Sequence, residues 1–247
     1  MLELDAWLEI AKSAALEGGN YLLQNQGKEL KVLMHSGRDI KLQLDTDTEK
    51  LIKETLSLQS SFSILGEETG LSNNLGEFYW VVDPLDGTSN FLRDIPISCV
   101  SIALMQDVTP ILGVIYDFNH DDLYFGHQNS KAFLNQNEIT VSDYSKKNQS
   151  TLVTGIPAKT HYSDEEFKNM IIDFQDWKKV RMIGSAAMAA IYVAAGKAET
   201  YKENGIFLWD IAAGAAIVEA AGGVASIKNI QADYRVDAVF TNQHLAN

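Results

Sequence analysis

Cysteine is almost absent from this chain of 247 residues, since Cys99 is the only one. A single cysteine excludes an internal disulfide and a zinc site built from cysteines. Cys99 stands in the apolar stretch 95–104, which indicates a small core residue. No apolar run approaches the ~20 residues of a membrane span. The acidic start MLELDAWLEI lacks the features of a signal peptide, so we expect a cytoplasmic protein.

Basic residues are few relative to acidic ones. The chain has 20 lysines and arginines against 33 aspartates and glutamates, which gives a net charge of −13. This charge argues against binding to nucleic acid or to an anionic membrane, because both require a positive surface. An acidic protein that binds a phosphate anion needs a local positive charge, and bound divalent cations supply one. The 46% of hydrophobic residues suffices for a sizeable core.

Several catalytic and metal-binding motifs are also missing. The chain has no Gly-x-x-x-x-Gly-Lys-Ser/Thr loop, and its five histidines form no HExxH pair. The serines lack the context of a nucleophile elbow. The acidic run DTDTE at 45–49 is not an EF-hand, because the sixth position is Lys50 instead of glycine. This run predicts either a helix start with acidic first-turn residues or a catalytic role for Asp45.

Hydrophobic spacing predicts helices and strands that alternate along the chain. Apolar residues from Leu4 to Ala15 recur at helical spacing, and we expect this helix to end near Gly18-Gly19 or soon after. Further helices are predicted near 47–58, 164–174, 185–195 and 211–221, and strands near 62–65, 78–82, 100–105, 111–116, 123–125 and 152–154. The polar segment 142–150 predicts a joint between two halves, 1–144 and 145–247. Without a strict βαβ rhythm, the pattern favours a layered α/β fold.

Three acidic clusters stand at the ends of predicted strands or at a helix start: Gly66-Glu67-Glu68, Asp83-Pro84-Leu85-Asp86-Gly87-Thr88 and Trp209-Asp210. Each cluster alone is most often surface, a turn or a helix cap. Together they predict one site, because hard cations such as magnesium prefer oxygen ligands. Pro84 fixes the backbone between the two aspartates and lacks an N–H, so the carbonyls there are free to face outward. Asp83 and Asp86 can then ligate two neighbouring ions, with the Leu85 carbonyl as a further ligand. Gly87 permits a turn, and the backbone that follows suits a phosphate if a helix starts there.

Two long motifs resemble signatures of the inositol monophosphatase family. The first is WVVDPLDGTSNF at 80–91, and the second is WDIAAG at 209–214 together with EAAGG at 219–223. The triplet Gly66-Glu67-Glu68 resembles the Gly-Glu-Glu of the same family. The resemblance implies a layered α-β-α-β-α sandwich, shared with fructose-1,6-bisphosphatase. It also implies magnesium-dependent, lithium-sensitive hydrolysis of a small phosphorylated metabolite.

The resemblance further implies roles for individual residues. Glu67, Asp83 and the Leu85 carbonyl would hold a first magnesium ion, and a third, weaker ion would lie near Glu67. Asp83, Asp86 and Asp210 would hold the second ion. Thr88 and a carboxylate of the second helix would orient the attacking water. The substrate-binding residues implied in this way are Gly87, Thr88, Gly184, Ser185, Ala186 and Glu203.

The water-orienting carboxylate is Asp45 by register, with Asp47 as the alternative. Both stay open because the chain departs from the family pattern just upstream. It has Asp39-Ile40-Lys41-Leu42 where many members carry Asp-x-Val-Thr. The metal ligands lie outside this departure and are unaffected by it.

The chemistry of the mechanism is consistent with these residue types. Two ions about 3.5–4 Å apart can clamp the attacking and leaving oxygens of an in-line displacement. Phosphoryl transfer needs positioning and charge neutralisation more than a covalent nucleophile. The substrate is either a monophosphorylated polyol such as an inositol phosphate or a 3'(2'),5'-bisphosphate nucleotide, with histidinol phosphate and fructose 1,6-bisphosphate also open. From another class, the chain could act mainly as a binding partner of larger machinery. A homodimer fits the family, although no sequence feature identifies one.

Overall fold

The computed structural model describes residues 4–28, 32–36, 39–157 and 161–246 of the chain. The helices in these ranges are α1 (Leu4–Asn25), α2 (Gln43–Gln59), α3 (Thr88–Phe91), α4 (Asp164–Phe174), α5 (Ala186–Ala194) and α6 (Leu208–Ala220), with a short 3-10 helix at Lys147–Gln149. The strands of the first half are β1 (Val32–Ser36), β2 (Asp39–Leu42), β3 (Ser63–Gly66), β4 (Gly70–Leu71), β5 (Phe78–Asp86), β6 (Cys99–Gln106), β7 (Thr109–Asp117), β8 (Asp122–His127), β9 (Ala132–Leu134) and β10 (Asn137–Ile139). The strands of the second half are β11 (Thr151–Thr154), β12 (Lys179–Met182), β13 (Thr200–Phe207), β14 (Val224–Lys228) and β15 (Arg235–Thr241).

The strands form two large sheets and a small hairpin. One sheet has eight strands in the order β10-β9-β8-β7-β6-β5-β3-β4, and the other has five in the order β12-β11-β13-β15-β14. The pairing of β3 with β5 is parallel, as is that of β11 with β12 and with β13. β1 and β2 pair antiparallel as a separate hairpin.

Helices and sheets stack in five layers. α1 and α2 cover one face of the eight-stranded sheet, and α5 and α6 lie between the two sheets. α4 lies outside the five-stranded sheet, where it borders a cavity with β11 and β13. This stacking is the α-β-α-β-α sandwich predicted from the sequence, and the prediction is confirmed. No helix in the described part of the chain is long and apolar enough to cross a membrane.

The eight-stranded sheet is buried on both faces, which explains why its central strands are apolar throughout. In β5, Trp80 and Val82 pack toward α1 and α2, whereas Tyr79 and Val81 pack toward the helices between the sheets. Successive side chains of a strand point to opposite faces, so a strand between two helical layers needs apolar residues at every position. The carboxylates at the end of β5 are therefore attached to a rigid part of the core.

Two predicted helix bounds are wrong. α1 continues through Gly18 and Gly19 to Asn25, because both glycines are buried close-packing positions and not a helix end. A Cβ added to Gly19 would lie 2.4 Å from the Tyr116 ring, so glycine lets α1 approach β7. α2 begins at Gln43 instead of residue 47. Its start is stabilised by Asp45, whose carboxylate accepts a hydrogen bond from the Leu42 N–H at 2.8 Å.

The predicted joint at 142–150 falls between the last strand of the eight-stranded sheet and the first strand of the five-stranded sheet. However, α6 packs against strands of both sheets, so the two halves share the core around it. The division of the chain at residue 144 therefore stays a prediction.

The close approach at Gly19 gives a prediction about stability. We expect Gly19→Ala to lower the free energy of unfolding, because the added methyl group overpacks the core against Tyr116 at a cost of about 1–3 kcal/mol. This loss should exceed the gain of ~1 kcal/mol in helix propensity. Gly76→Ala is the control, since the nearest atom to a Cβ there is 3.7 Å away. Urea denaturation of both variants measures the difference, and equal stabilities would contradict the packing argument.

Candidate metal centre

Three carboxylates from distant parts of the chain meet at one point. Glu67 follows β3, Asp83 lies in β5, and Asp210 lies in the first turn of α6. One ligand oxygen from each residue lies within 4.8 Å of the other two. This distance allows all three oxygens to contact one cation. The structure thus brings together one residue from each of the three acidic clusters of the sequence.

A bulge in β5 brings Asp86 to the same site. Asp83 pairs with Ser101 and Asp86 with Cys99, so β5 has one more residue than β6 across this interval. Residues three apart in a regular strand point to opposite faces, but an extra residue returns the second one to the face of the first. Pro84 lies in the bulge, where its missing N–H disrupts no pairing. The Leu85 carbonyl between the two aspartates accepts a hydrogen bond from the Thr88 hydroxyl at 3.0 Å.

Asp86 is held in place by the second half of the chain. Its Oδ2 accepts hydrogen bonds from the Ser185 hydroxyl at 2.6 Å and from the Ala187 N–H at 2.7 Å. The Ser185 oxygen in turn accepts a bond from the Met188 N–H at 3.1 Å and caps α5. These bonds connect the N-terminus of α5 to the site, where the helix dipole favours a negative charge. Ser185 and Ala187 therefore orient a site carboxylate.

The cluster is electrostatically unfavourable without a cation. Burial, followed by the charges of Glu67, Asp86 and Asp210, holds the pKa of Asp83 well above its usual value. Burial and the charges of Glu67 and Asp86 do the same for the pKa of Asp210. Burial also raises the pKa of Asp86 to about 6, although the bonds from Ser185 and Ala187 oppose the shift.

The pKa of Glu67 is also raised, but one positive charge opposes the shift. Burial raises its pKa to about 8, with a further contribution from Glu68, while the Lys41 ammonium lowers it. Lys41 forms an ion pair with Glu68 at 3.1 Å. A bound divalent cation would oppose these shifts much more strongly, since it adds two positive charges at the point where the carboxylates converge. The all-oxygen donor set and the mutual repulsion therefore fit a hard cation such as magnesium.

The structure separates the two candidates for the water-orienting carboxylate. Asp45 is buried, and its charge contributes to the raised pKa of Glu67, so it lies close to the cluster. Asp47 is exposed and accepts a hydrogen bond from the Gln43 side chain at 3.0 Å. Of the two, Asp45 is therefore the residue that lies near the carboxylate cluster. Its pairing with Thr88 stays a prediction, because the Thr88 hydroxyl donates to the Leu85 carbonyl here.

A cavity of about 290 Å³ opens directly above the cluster. Its lining includes the predicted site residues Glu67, Asp86, Gly87, Thr88, Gly184, Ser185, Ala186, Glu203 and Asp210. Gly87 has a φ of 90°, a left-handed conformation that favours glycine and lets α3 start at Thr88. Asp45, Asp83 and Leu85 are buried beneath this lining. The predicted substrate residues therefore face the same cavity as the carboxylates.

Glu203 lies in β13 at the edge of this cavity and is nearly buried. Burial raises the pKa of its carboxyl to about 8, and the charge of Asp86 contributes to the shift. A carboxyl in this state can donate a hydrogen bond as well as accept one. Glu203 thus combines a hydrogen-bonding group with a position a short distance from the metal ligands.

The sequence analysis did not predict two residues whose side chains hold segments around the site in place. The Asn90 amide donates to the carbonyls of Ile97 and Ile183, both at 2.8 Å, and so connects α3 to the chain before α5. Glu49 is buried on α2 and accepts hydrogen bonds from Glu68 and Thr69, directly after Glu67. The Glu49 spacing of four residues from Asp45 was a usable signal, because residues i and i+4 share a helix face.

The raised pKa values predict how stability depends on pH. A carboxyl whose pKa is higher in the folded state stabilises the fold while it is protonated, and this contribution disappears as pH rises through the folded-state value. With values of about 8 for Glu67 and about 6 for Asp86, cation-free protein should lose stability between pH 5 and about 8. Magnesium should therefore raise the Tm more at the upper end of this range than at the lower end. Scanning calorimetry with a chelator and with excess magnesium measures both trends, and a pH-independent magnesium effect would contradict them.

Comparisons with known proteins identify the family of the chain. The sequence profile of the Inositol monophosphatase family matches residues 3–239. The chain is 38% identical over 220 residues to Nus factor SuhB of Xylella fastidiosa, covering 87% of this chain and 80% of that protein. It is 36% identical over 229 residues to inositol-1-monophosphatase of Synechocystis, covering 91% and 79%. The solved structure of inositol monophosphatase from Anabaena (Nostoc) superposes with a TM-score of 0.82 at 33% identity, covering 97% of this chain and 91% of that one. The chain therefore belongs to the inositol monophosphatase family.

Proposed function

We propose that this protein hydrolyses the phosphate monoester of a small polyol, such as an inositol monophosphate, with the help of magnesium. The observation that carries the proposal is the convergence of Glu67, Asp83 and Asp210 within 4.8 Å beside the cavity that Glu203 also lines. Membership of a phosphatase family and the name of the Synechocystis relative support the same reaction.

The carboxylates divide into two overlapping ligand sets. Glu67, Asp83 and the Leu85 carbonyl would hold one ion, and Asp83, Asp86 and Asp210 a second, so that Asp83 belongs to both sets. A third ion would bind more weakly beside Glu67. Ions bound there would lower the pKa of a bound water molecule and stabilise the negative charge on the leaving oxygen.

The side chains around the cluster prepare the attack on the phosphorus. A threonine hydroxyl has one proton and two lone pairs. With its proton directed to the Leu85 carbonyl, Thr88 keeps lone pairs that can accept a hydrogen bond from a water molecule in the cavity. Asp45, which lies close enough to the cluster for its charge to act on Glu67, would orient that water together with Thr88. Positioning of this kind accounts for much of the rate enhancement in phosphoryl transfer.

Glu203 is the residue that would select the substrate. Its carboxyl can exchange hydrogen bonds with the hydroxyls of a polyol bound in the cavity. In its ionised form it repels a second phosphate brought close to it, and so disfavours a 3'(2'),5'-bisphosphate nucleotide. Because its pKa lies at about 8, this repulsion should increase as the pH rises through that value. This repulsion therefore favours a monophosphorylated polyol over a bisphosphate most strongly at pH values above about 8.

A second candidate function comes from the relative named Nus factor SuhB. This chain could act mainly through a macromolecular partner, with catalysis secondary. The complete set of carboxylates around the cavity favours the catalytic role, since a pure binding role does not require them. A screen of phosphate release from a metabolite panel with and without magnesium separates the two functions.

The first test of the proposal is Asp83→Asn. We expect turnover of inositol 1-phosphate to fall by several orders of magnitude, because the proposed site loses the carboxylate shared by both ligand sets. The fold should persist, because asparagine has nearly the same shape. Asp107→Asn is the control, since Asp107 is exposed in the turn between β6 and β7. Near-normal activity of Asp83→Asn in magnesium would rule out the proposed two-metal site.

The second test concerns specificity. We expect Glu203→Gln to lower kcat/KM for inositol 1-phosphate about 5-fold to 150-fold, equivalent to about 1–3 kcal/mol, because hydrogen bonds to substrate hydroxyls are lost or left unmatched. The variant should at the same time discriminate less against adenosine 3',5'-bisphosphate. Steady-state kinetics with both substrates, for wild type and variant, give the ratio directly. A wild type that prefers the bisphosphate, or an unchanged ratio in the variant, would show that Glu203 does not select the substrate.

A further inference from the structure

Glu49 is a fully buried carboxylate that the mechanism above does not use. It lies on α2, one turn after Asp45, and 0% of its surface is exposed. Its Oε2 accepts a hydrogen bond from the Glu68 N–H at 2.8 Å. Its Oε1 accepts bonds from the Thr69 N–H at 3.1 Å and the Thr69 hydroxyl at 2.5 Å. Both oxygens are thus bonded to the two residues that follow Glu67.

The residue before Glu67 is shaped to admit this carboxylate. A Cβ added to Gly66 would lie 2.4 Å from the Glu49 carboxyl carbon. Glycine at this position therefore lets the carboxylate approach the backbone of the turn. On the other side, the Glu67 N–H donates to the Val82 carbonyl of β5 at 3.1 Å. The backbone around Glu67 is fixed between Glu49 and the strand that carries Asp83.

A cation beside Glu49 allows its charge to be buried. Lys53 lies one turn further along α2, and its ammonium is 3.0 Å from Glu49 Oε1. Lys53 also donates to the Thr69 hydroxyl oxygen. Hydrogen bonds to an ionised acceptor are roughly twice as strong as neutral ones, so this arrangement restrains the turn more firmly than a neutral side chain would. Glu49 and Lys53 thus form a charged anchor beneath the turn of residues 66–69.

We propose that Glu49 is a positioning residue that sets the affinity of the metal centre by fixing the Glu67 turn. Glu49 does not contact the cation. It holds the backbone directly after Glu67, while the Val82 carbonyl holds the Glu67 N–H. The Glu67 carboxylate is thereby already placed against Asp83 and Asp210 before a cation binds. The inference rests on the proposed magnesium site and adds a residue that determines how well that site is preorganised.

The test is direct magnesium binding to substrate-free Glu49→Gln. The amide replaces one acceptor oxygen by a donor that faces the N–H of Glu68 or, if turned over, that of Thr69, so the turn must shift. We expect the dissociation constant for magnesium, measured by calorimetric titration, to rise about tenfold to a hundredfold, as for other residues that support metal ligands. The magnesium concentration that half-saturates turnover should rise by the same factor, whereas KM for the substrate should stay close to wild type at saturating magnesium.

Glu54→Gln is the matched control, because it removes the same charge from an exposed position of the same helix. Glu54 forms a long ion pair with Lys50, at 3.9 Å. This variant should bind magnesium like the wild type. A merely structural role for Glu49 would lower the Tm of Glu49→Gln without changing magnesium affinity in the folded protein, and that result would overturn the inference.

Thr69→Val keeps the test decisive if Glu49→Gln does not fold. It removes a single donor to Glu49 and should weaken magnesium binding severalfold, so unchanged affinity in this variant would also overturn the inference. The wild type separates this inference from the proposed function. A wild-type protein that binds no magnesium overturns both, whereas wild-type binding together with unchanged affinity in Glu49→Gln overturns only the role of Glu49.

Discussion

Repulsion between carboxylates that are buried or partly buried is the constraint on which the site depends. Burial raises the pKa of Glu67, Asp83, Asp86 and Asp210, and for Asp83 and Asp210 the charges of the neighbouring carboxylates raise it further, so these groups would separate if they were attached to flexible segments. Each is instead attached to the end or the bulge of an element that packs in the core. The packing of the core therefore offsets the repulsion between these like charges. A cation at the point of convergence would reduce that repulsion.

The five-layer fold explains how one site draws on both halves of the chain. α5 and α6 lie between the sheets, and the first turn of α6 carries Asp210 while the start of α5 bonds to Asp86. Because both helices also pack on the eight-stranded sheet, the distance between Asp86 and Asp210 is set by core packing. Electrostatic preorganisation of this kind is effective, since the groups need not reorganise during the reaction.

The features predicted from the sequence were those encoded within short segments. The apolar strands, the acidic motif around Pro84 at the end of a strand and the helix that begins near Asp210 are local patterns, and the structure has them in the predicted order. The helix end expected near Gly18-Gly19 lies further along the chain because the reason for both glycines is tertiary: Gly18 packs against Ile52 of α2, and Gly19 packs against Tyr116 of β7. Glu49 was missed for the same cause, since its partners lie 19 and 20 residues further along the chain. The spacing of hydrophobic residues reports on neighbours a few positions apart, so it does not reveal contacts of that range.

The acidic character of the chain connects cation binding to substrate binding. With a net charge of −13 and four carboxylates at the cavity, the cation-free protein repels a phosphate ester. Any ion that reverses the local charge increases affinity for the ester, and by linkage the ester must increase affinity for the ion to the same extent. A residue such as Glu49 that prepares the cation site therefore also affects substrate affinity at low magnesium, although it lies beneath the turn and not in the cavity lining. The anchor on α2 and the carboxylates at the cavity thus act as one thermodynamic unit.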